Sequence, residues 1–127
     1  MNPVTKKVLL IEDDLVIANV LKEKLVREKI EVTTAGDGVA GLARALADHP
    51  NLILLDIVMP NMDGMTMLKK LRADSWGKTA KVVVLTNLSD AYKAEEAAQK
   101  GVYDWLVKSE WQLSDLAQLV KKRLDID

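Results

Sequence analysis

Three acidic residues in a row, Glu12-Asp13-Asp14, close the apolar run Val8-Leu9-Leu10-Ile11. A single aspartate, Asp56, closes a second run, Leu52-Ile53-Leu54-Leu55. Thr86 ends a third, Val82-Val83-Val84-Leu85, and Lys108 follows the short segment Trp105-Leu106-Val107. Carboxylates gathered within a few ångströms repel one another, a cost that a hard divalent cation among them offsets. With few protein ligands and room for water, Mg²⁺ is the natural ion. A hydroxyl and an ammonium across the same pocket make an anion site suited to a phosphoryl group. A carboxylate facing both can attack phosphorus and form an acyl phosphate, while cation and ammonium spread the charge of the group in transfer.

Taken singly, these residues carry little. An acidic residue at a strand end is often only the N-cap of the next helix, a role open to Asp13 and Asp14, and a lone lysine is usually a solvated charge. Four such residues at four strand ends point to a site, provided the elements before them bring the ends together.

Those elements alternate. The continuous apolar runs suit strands buried on both faces of a parallel sheet. Ile30-Glu31-Val32-Thr33 alternates and reads as a half-exposed edge strand; Trp105-Leu106-Val107 is a fifth strand. Between them, Ile17, Val20, Leu21 and Leu25 share a helical face, as do Val39, Leu42, Ala43 and Leu46 at i, i+3, i+4 and i+7. Met67, Leu68 and Leu71 mark a third helix. The fourth, about Ser89 to Lys100, offers only alanines inward (Ala91, Ala94, Ala97, Ala98) and stops at Gly101. The fifth carries Leu113, Leu116, Ala117, Val120 and Leu124, with Ser109 and Ser114 both able to cap it.

Five strand–helix units predict an α/β fold: a flavodoxin-like, doubly wound, five-stranded parallel sheet of order 2-1-3-4-5 with five helices. In such sheets ligands bind at the carboxyl ends of the strands, near the reversal of strand order. Strands one, three and four are neighbours there, so Glu12, Asp13, Asp14, Asp56 and Thr86 should converge.

Composition sets the outer limits. The 127 residues are 49% hydrophobic and 29% charged, which is ordinary for one globular domain. Nineteen acidic against 18 basic residues give a net charge of −1, so no basic field advertises direct nucleic-acid or anionic-membrane binding. Absent cysteines exclude thiol chemistry and cysteine-ligated metals, and a lone His49 excludes the common histidine sites. No apolar run approaches the roughly 20 residues that span a bilayer. The start, Met1 to Lys7, leads into a strand instead of a signal peptide's apolar region. These features predict one cytoplasmic domain over 1–127, with a core from about residue 7 to 124 and no output domain.

The motifs in combination resemble the receiver domain of two-component response regulators. They are Val8 to Asp14, then Leu55-Asp56-Ile57-Val58-Met59-Pro60-Asn61-Met62-Asp63-Gly64, then Leu85-Thr86, then Lys108. The 2-1-3-4-5 order is that family's own, so the two expectations are not independent. The resemblance implies that Asp56 accepts a phosphoryl group from a histidine kinase or phosphotransfer protein. It implies that Asp13, Asp56 and the Val58 carbonyl ligate Mg²⁺, with Glu12 holding a metal-bound water. Thr86 and Lys108 would contact phosphoryl oxygens, and Pro60 and Gly64 would shape the loop beyond the acceptor. Output would pass through helix four, strand five and helix five to an effector protein whose identity is open, from a monomer or weak dimer.

Some positions depart from the family pattern. Trp105 stands where Tyr or Phe usually acts with the threonine as a switch pair. Ser109 replaces the proline that commonly follows the lysine, and predicts a trans or a strained loop there. Asn87 replaces a small residue. Val58 and Leu88, apolar at positions that tune phosphoryl loss, predict a long-lived phosphoryl state.

Other readings stay open. A constitutive interaction module of the same fold would leave Asp56 unmodified. A phosphohydrolase lacks its second aspartate, since Val58 lies two beyond Asp56, and a flavodoxin lacks a hydroxyl-rich phosphate loop after the first strand. His49 reads as a surface loop residue, and Lys121-Lys122-Arg123 as positive charge complementing a helix C-terminus. Met67 reads as core, while Met59, Met62 and Met65 could join a donor-facing apolar surface.

Overall fold

Side chains alternate along a strand, so a strand covered on both faces must be apolar at every position. Val8–Ile11, Leu52–Leu55 and Val82–Leu85 satisfy this, and none of these residues is more than 5% exposed. The computed structural model describes residues 5–126; the Met1–Val4 part of the strand lead-in lies outside them. Strands β1 (Lys7–Ile11), β2 (Glu31–Ala35), β3 (Leu52–Leu55), β4 (Val82–Thr86) and β5 (Asp104–Val107) form one parallel sheet. Its order is β2-β1-β3-β4-β5, as expected. The helices are α1 (Leu15–Arg27), α2 (Gly38–Asp48), α3 (Gly64–Ala73), α4 (Ala91–Gln99) and α5 (Leu113–Arg123).

Two cores result. Val8 and Leu10 point to the layer of α1 and α5, with Leu21, Leu25, Leu116 and Val120. Leu9 and Ile11 point to the layer of α2, α3 and α4, with Ala45, Met67, Leu68, Leu71 and Ala97. Among the described residues no helix is long and apolar enough to cross a membrane.

Several local expectations are corrected. The edge strand is Glu31–Ala35, because β1 pairs from Lys7↔Glu31 to Ile11↔Ala35, while the Ile30 N–H still bonds to Leu25 O in the preceding turn. In α1 Ala18 joins Leu21 and Leu25 on the buried face, and Val20 is exposed. In α2 the buried side is Gly38, Gly41 and Ala45, while Val39 and Leu46 look outward. A Cβ on Gly41 would lie 2.6 Å from the Ile11 side chain, so this helix packs through its smallest residues. Asp90, and not Ser89, starts α4, accepting the Tyr92 and Lys93 N–H groups; only Ala97 is buried, Ala94 is half-buried, and Ala91 and Ala98 are exposed. Neither serine caps α5, since Gln112 holds that position, Ser109 lies in a 3-10 turn (Lys108–Glu110) and Ser114 lies inside the helix. His49 is exposed as expected, with a positive φ of 47°, and stacks on Trp76 at 4.2 Å.

Candidate functional site

The sheet ladder runs one residue past the strands and sets the first two acidic positions. The Glu12 N–H bonds to Ala35 O (2.9 Å), and the Asp56 N–H bonds to Ile11 O (3.0 Å). Asp14 then caps α1, accepting from Val16 N (3.0 Å) and Ile17 N (3.2 Å). The capping role open to either aspartate therefore falls to Asp14, and Asp13 is left exposed beside the site.

Glu12, Asp13, Asp56, Val58, Thr86 and Lys108 all line one cleft of about 440 Å³ at the carboxyl end of the sheet. Lys108 Nζ donates to Glu12 Oε1 (2.5 Å) and to Asp56 Oδ2 (3.1 Å). Asp56 Oδ1 accepts the Ile57 N–H (2.7 Å). Glu12 and Thr86 are buried at 3% and 1% exposure, and Asp56 at 7%. Gly64 answers a steric demand in the following loop: a Cβ there would sit 2.2 Å from the Asp56 carbonyl oxygen. Asp63 caps α3 through the Thr66 N–H (2.8 Å), a role the sequence reading missed although the Asp-Gly pair before an apolar run signals it.

Charge at this site is unevenly shared. Burial, and then the neighbouring Asp56 carboxylate, push the Glu12 pKa up to about 8 against the pull of Lys108. Burial alone would raise Asp56 too, but the neighbouring Glu12 carboxyl, the Thr86 hydroxyl and the Lys108 ammonium hold it below the ordinary carboxylate value. Burial works against the Lys108 ammonium, and the two carboxylates outweigh it, so its pKa is raised. One ammonium thus serves two carboxylates, and Glu12 Oε2 is buried with no hydrogen-bond partner.

That orphaned oxygen tests the fit of a cation. Glu12, Asp13 and Asp56 each offer a carboxylate oxygen, all within 4.8 Å of one another. An all-oxygen donor set with an unsatisfied buried member suits a hard divalent ion.

Three positions flagged as departures lie around this cleft. Asn87 lines it and is exposed. The bond between Lys108 and Ser109 is trans, as are all peptide bonds of the described residues. Trp105 lies outside the cleft, half-buried against the α2–α4 layer, with its indole N–H donated to Leu88 O (3.2 Å).

Residues 8–121 match the model of the response regulator receiver domain. The chain belongs to that family. Response regulator PleD of Caulobacter vibrioides is 37% identical over 102 residues, covering 80% of this chain and 22% of the relative. A probable transcriptional regulator, ycf27 of Cyanophora paradoxa, is 34% identical over 81% of this chain and 42% of its own length. The chain thus spans less than half of these relatives. Among solved structures, a CheY-like receiver domain protein from Methanospirillum hungatei superposes with a TM-score of 0.88 at 27% identity, covering 96% of this chain and 95% of that one. A Francisella response regulator receiver domain gives 0.86 at 29% identity, over 95% and 98%. Receiver domains are phosphoacceptor signalling domains and not enzymes in the usual sense, so the family is that of a phosphorylation-controlled switch.

Proposed function

We propose that Asp56 is the phosphoacceptor of this switch. The supporting observation is the Lys108 ammonium, held at Asp56 by a 3.1 Å contact, with the Thr86 hydroxyl next to the same carboxyl. In this reading a carboxylate oxygen of Asp56 attacks the phosphorus of a phosphohistidine on a histidine kinase or phosphotransfer protein. The new O–P bond forms as the N–P bond breaks, and the imidazole leaves with the bond's electron pair. Lys108 then pairs with a phosphoryl oxygen, and Thr86 donates to another.

Glu12, Asp13, Asp56 and the Val58 carbonyl would hold Mg²⁺, with Glu12 acting through a bound water. When bound, the ion neutralises charge on the phosphoryl oxygens. Low Asp56 pKa keeps the nucleophile ionised at neutral pH, which is the state attack requires. The same pocket would assist later hydrolysis of the acyl phosphate.

The output surface in this reading is α4, β5 and α5, read by an effector protein, with no direct contact to nucleic acid or membrane. The working unit is a cytoplasmic domain with a core from about residue 7 to 124, as monomer or weak dimer. Two features favour α4 as the moving element: only one fully buried alanine anchors it, and its exposed Tyr92 is unpacked.

The test is intact mass after incubation with a small phosphodonor, with and without Mg²⁺, beside Asp56→Asn. One added phosphoryl group that requires Mg²⁺ and is absent from the variant supports the reading. Absence of an adduct, together with failure to bind beryllofluoride, would favour a constitutive interaction module.

A further inference from the structure

The loop that follows Asp56 is braced from outside. Its residue Asn61 has φ of 67°, a left-handed conformation that asparagine tolerates better than most side chains. From there Nδ2 donates to Asp37 Oδ2 at 2.6 Å. One residue on, Met62 O accepts the Gly38 N–H at 3.1 Å. A Cβ on Gly38 would lie 2.4 Å from Met62 O, so only glycine permits this approach. Asp37 does a second job: its Oδ1 caps α2 through the Ala40 N–H (2.8 Å). One carboxylate therefore holds two elements, each with a different oxygen.

The brace starts from a segment already tied to the acidic cluster. Ala35, two residues before Asp37, accepts the Glu12 N–H. The β2–α2 turn thus fastens the Glu12 segment on one side and the loop after Asp56 on the other. Its two attachments fix the spacing between them.

We infer that Asp37 is a positioning residue for the cation site: through Asn61 it holds the loop from Ile57 to Asp63, and with it the Val58 carbonyl, at the distance from Glu12 and Asp13 that a divalent ion needs. This rests on the proposed Mg²⁺ reading and adds a residue that lies outside the cleft. Groups that orient metal ligands from behind are worth about 10–100-fold in affinity. Here the orienting group acts on a backbone ligand, so the lower end applies.

Three variants separate this role from helix capping. Asp37→Ser keeps an N-cap oxygen but cannot also reach Asn61. Asn61→Gly removes the amide, leaves the cap untouched and accepts the positive φ. Asp37→Asn keeps cap and brace, because Asn61 can turn its amide to accept, yet loses the charge. Binding is read by calorimetry with Mg²⁺ alone, and loop order by hydrogen exchange at the Met62 and Gly64 amides.

Asp37→Ser and Asn61→Gly should each bind Mg²⁺ about tenfold more weakly and exchange faster at both amides, while Asp37→Asn stays at the wild-type value. Equal weakening in Asp37→Asn and Asp37→Ser would assign the effect to long-range charge and overturn the inference. Unchanged affinity in Asn61→Gly would overturn it too, leaving Asp37 a helix cap. If the wild-type protein binds no Mg²⁺, the cation reading itself fails and this inference with it.

Discussion

Trp105 and Thr86 grip the same residue from opposite sides. The Trp105 indole N–H donates to Leu88 O (3.2 Å), while the Leu88 N–H donates to Thr86 Oγ1 (3.2 Å). Leu88 lines the cleft, and through its backbone it links a buried hydroxyl to a half-buried aromatic ring on β5. Moving the hydroxyl deprives the Leu88 N–H of its acceptor and disturbs the loop that the indole holds.

Occupation of the acceptor should therefore change the emission of Trp105. Drawing Thr86 toward a phosphoryl oxygen shifts Leu88 and alters the indole's hydrogen bond. The measurement is tryptophan emission on adding beryllofluoride and Mg²⁺ in a Trp76→Phe, Trp111→Phe background. The expected change disappears in Thr86→Ala, which cannot make the link. Persistence of the full change in Thr86→Ala would break the proposed relay.

Acid–base behaviour gives a second prediction. Native Glu12 keeps its proton up to about pH 8, whereas the unfolded chain releases it near 4.5. Between those values the native state binds more protons, so metal-free stability falls as pH rises. Asp56, whose pKa is lowered from 3.8, and Lys108, raised from 10.5, act outside this window. Chemical denaturation in chelator should give lower stability at about pH 8 than at about pH 5.5, and Mg²⁺ should flatten the difference by favouring the ionised form. A metal-free stability that rises across this range would contradict the Glu12 assignment.

Phosphoryl lifetime follows from the side chains at the mouth of the cleft. Val58 and Leu88 line it, and neither can orient a water for attack. After donor removal, the adduct on Asp56 should last minutes or longer, followed by intact mass. Val58→Asn supplies a polar group at the mouth and should shorten it. Decay within seconds in the unaltered chain would show that the apolar mouth does not set the rate.

Much of this was legible from residue order. The apolar runs gave three strands, and the polar residues after them gave the cleft, because strand ends in a parallel sheet leave little choice of position. Face assignments in α1 and α2 were harder. Val20, Val39 and Leu46 raise the hydrophobic signal, yet the buried positions are Ala18 with Leu21 and Leu25 in α1, and Gly38, Gly41 and Ala45 in α2. Hydrophobic periodicity weighs large side chains, while a helix in close contact buries small ones. Asp37 and Asn61 were invisible for another reason: their bond joins loops 24 positions apart, and neither residue type announces a tertiary partner. Glu12's shared ammonium could not be foreseen in its geometry, only in the nearness of opposite charges.

Arg72 is the case with no sequence signal, and it carries the last prediction. Its Nε donates to Lys100 O (2.7 Å), and Nη1 donates to Gly77 O (2.7 Å) and Ala80 O (2.8 Å). No carboxylate pairs with it among the described residues, and burial lowers its pKa. A planar guanidinium satisfies these carbonyls together, which a lysine's single ammonium cannot match. The clamp joins the end of α4 to the segment before β4, at the opposite end of the sheet from Asp56. It fixes the C-terminal end of α4. Arg72→Ala strands buried carbonyls and should cost about 2–4 kcal/mol in chemical denaturation, with Arg72→Lys recovering only part. Exchange at the Val102 amide, bonded to Ala97 O, should accelerate in step. Phosphoryl uptake by the folded variant should be unchanged, since no site residue touches the clamp. Loss of uptake in a fully folded Arg72→Ala would mean that the α4 anchor and the acceptor are coupled through the sheet.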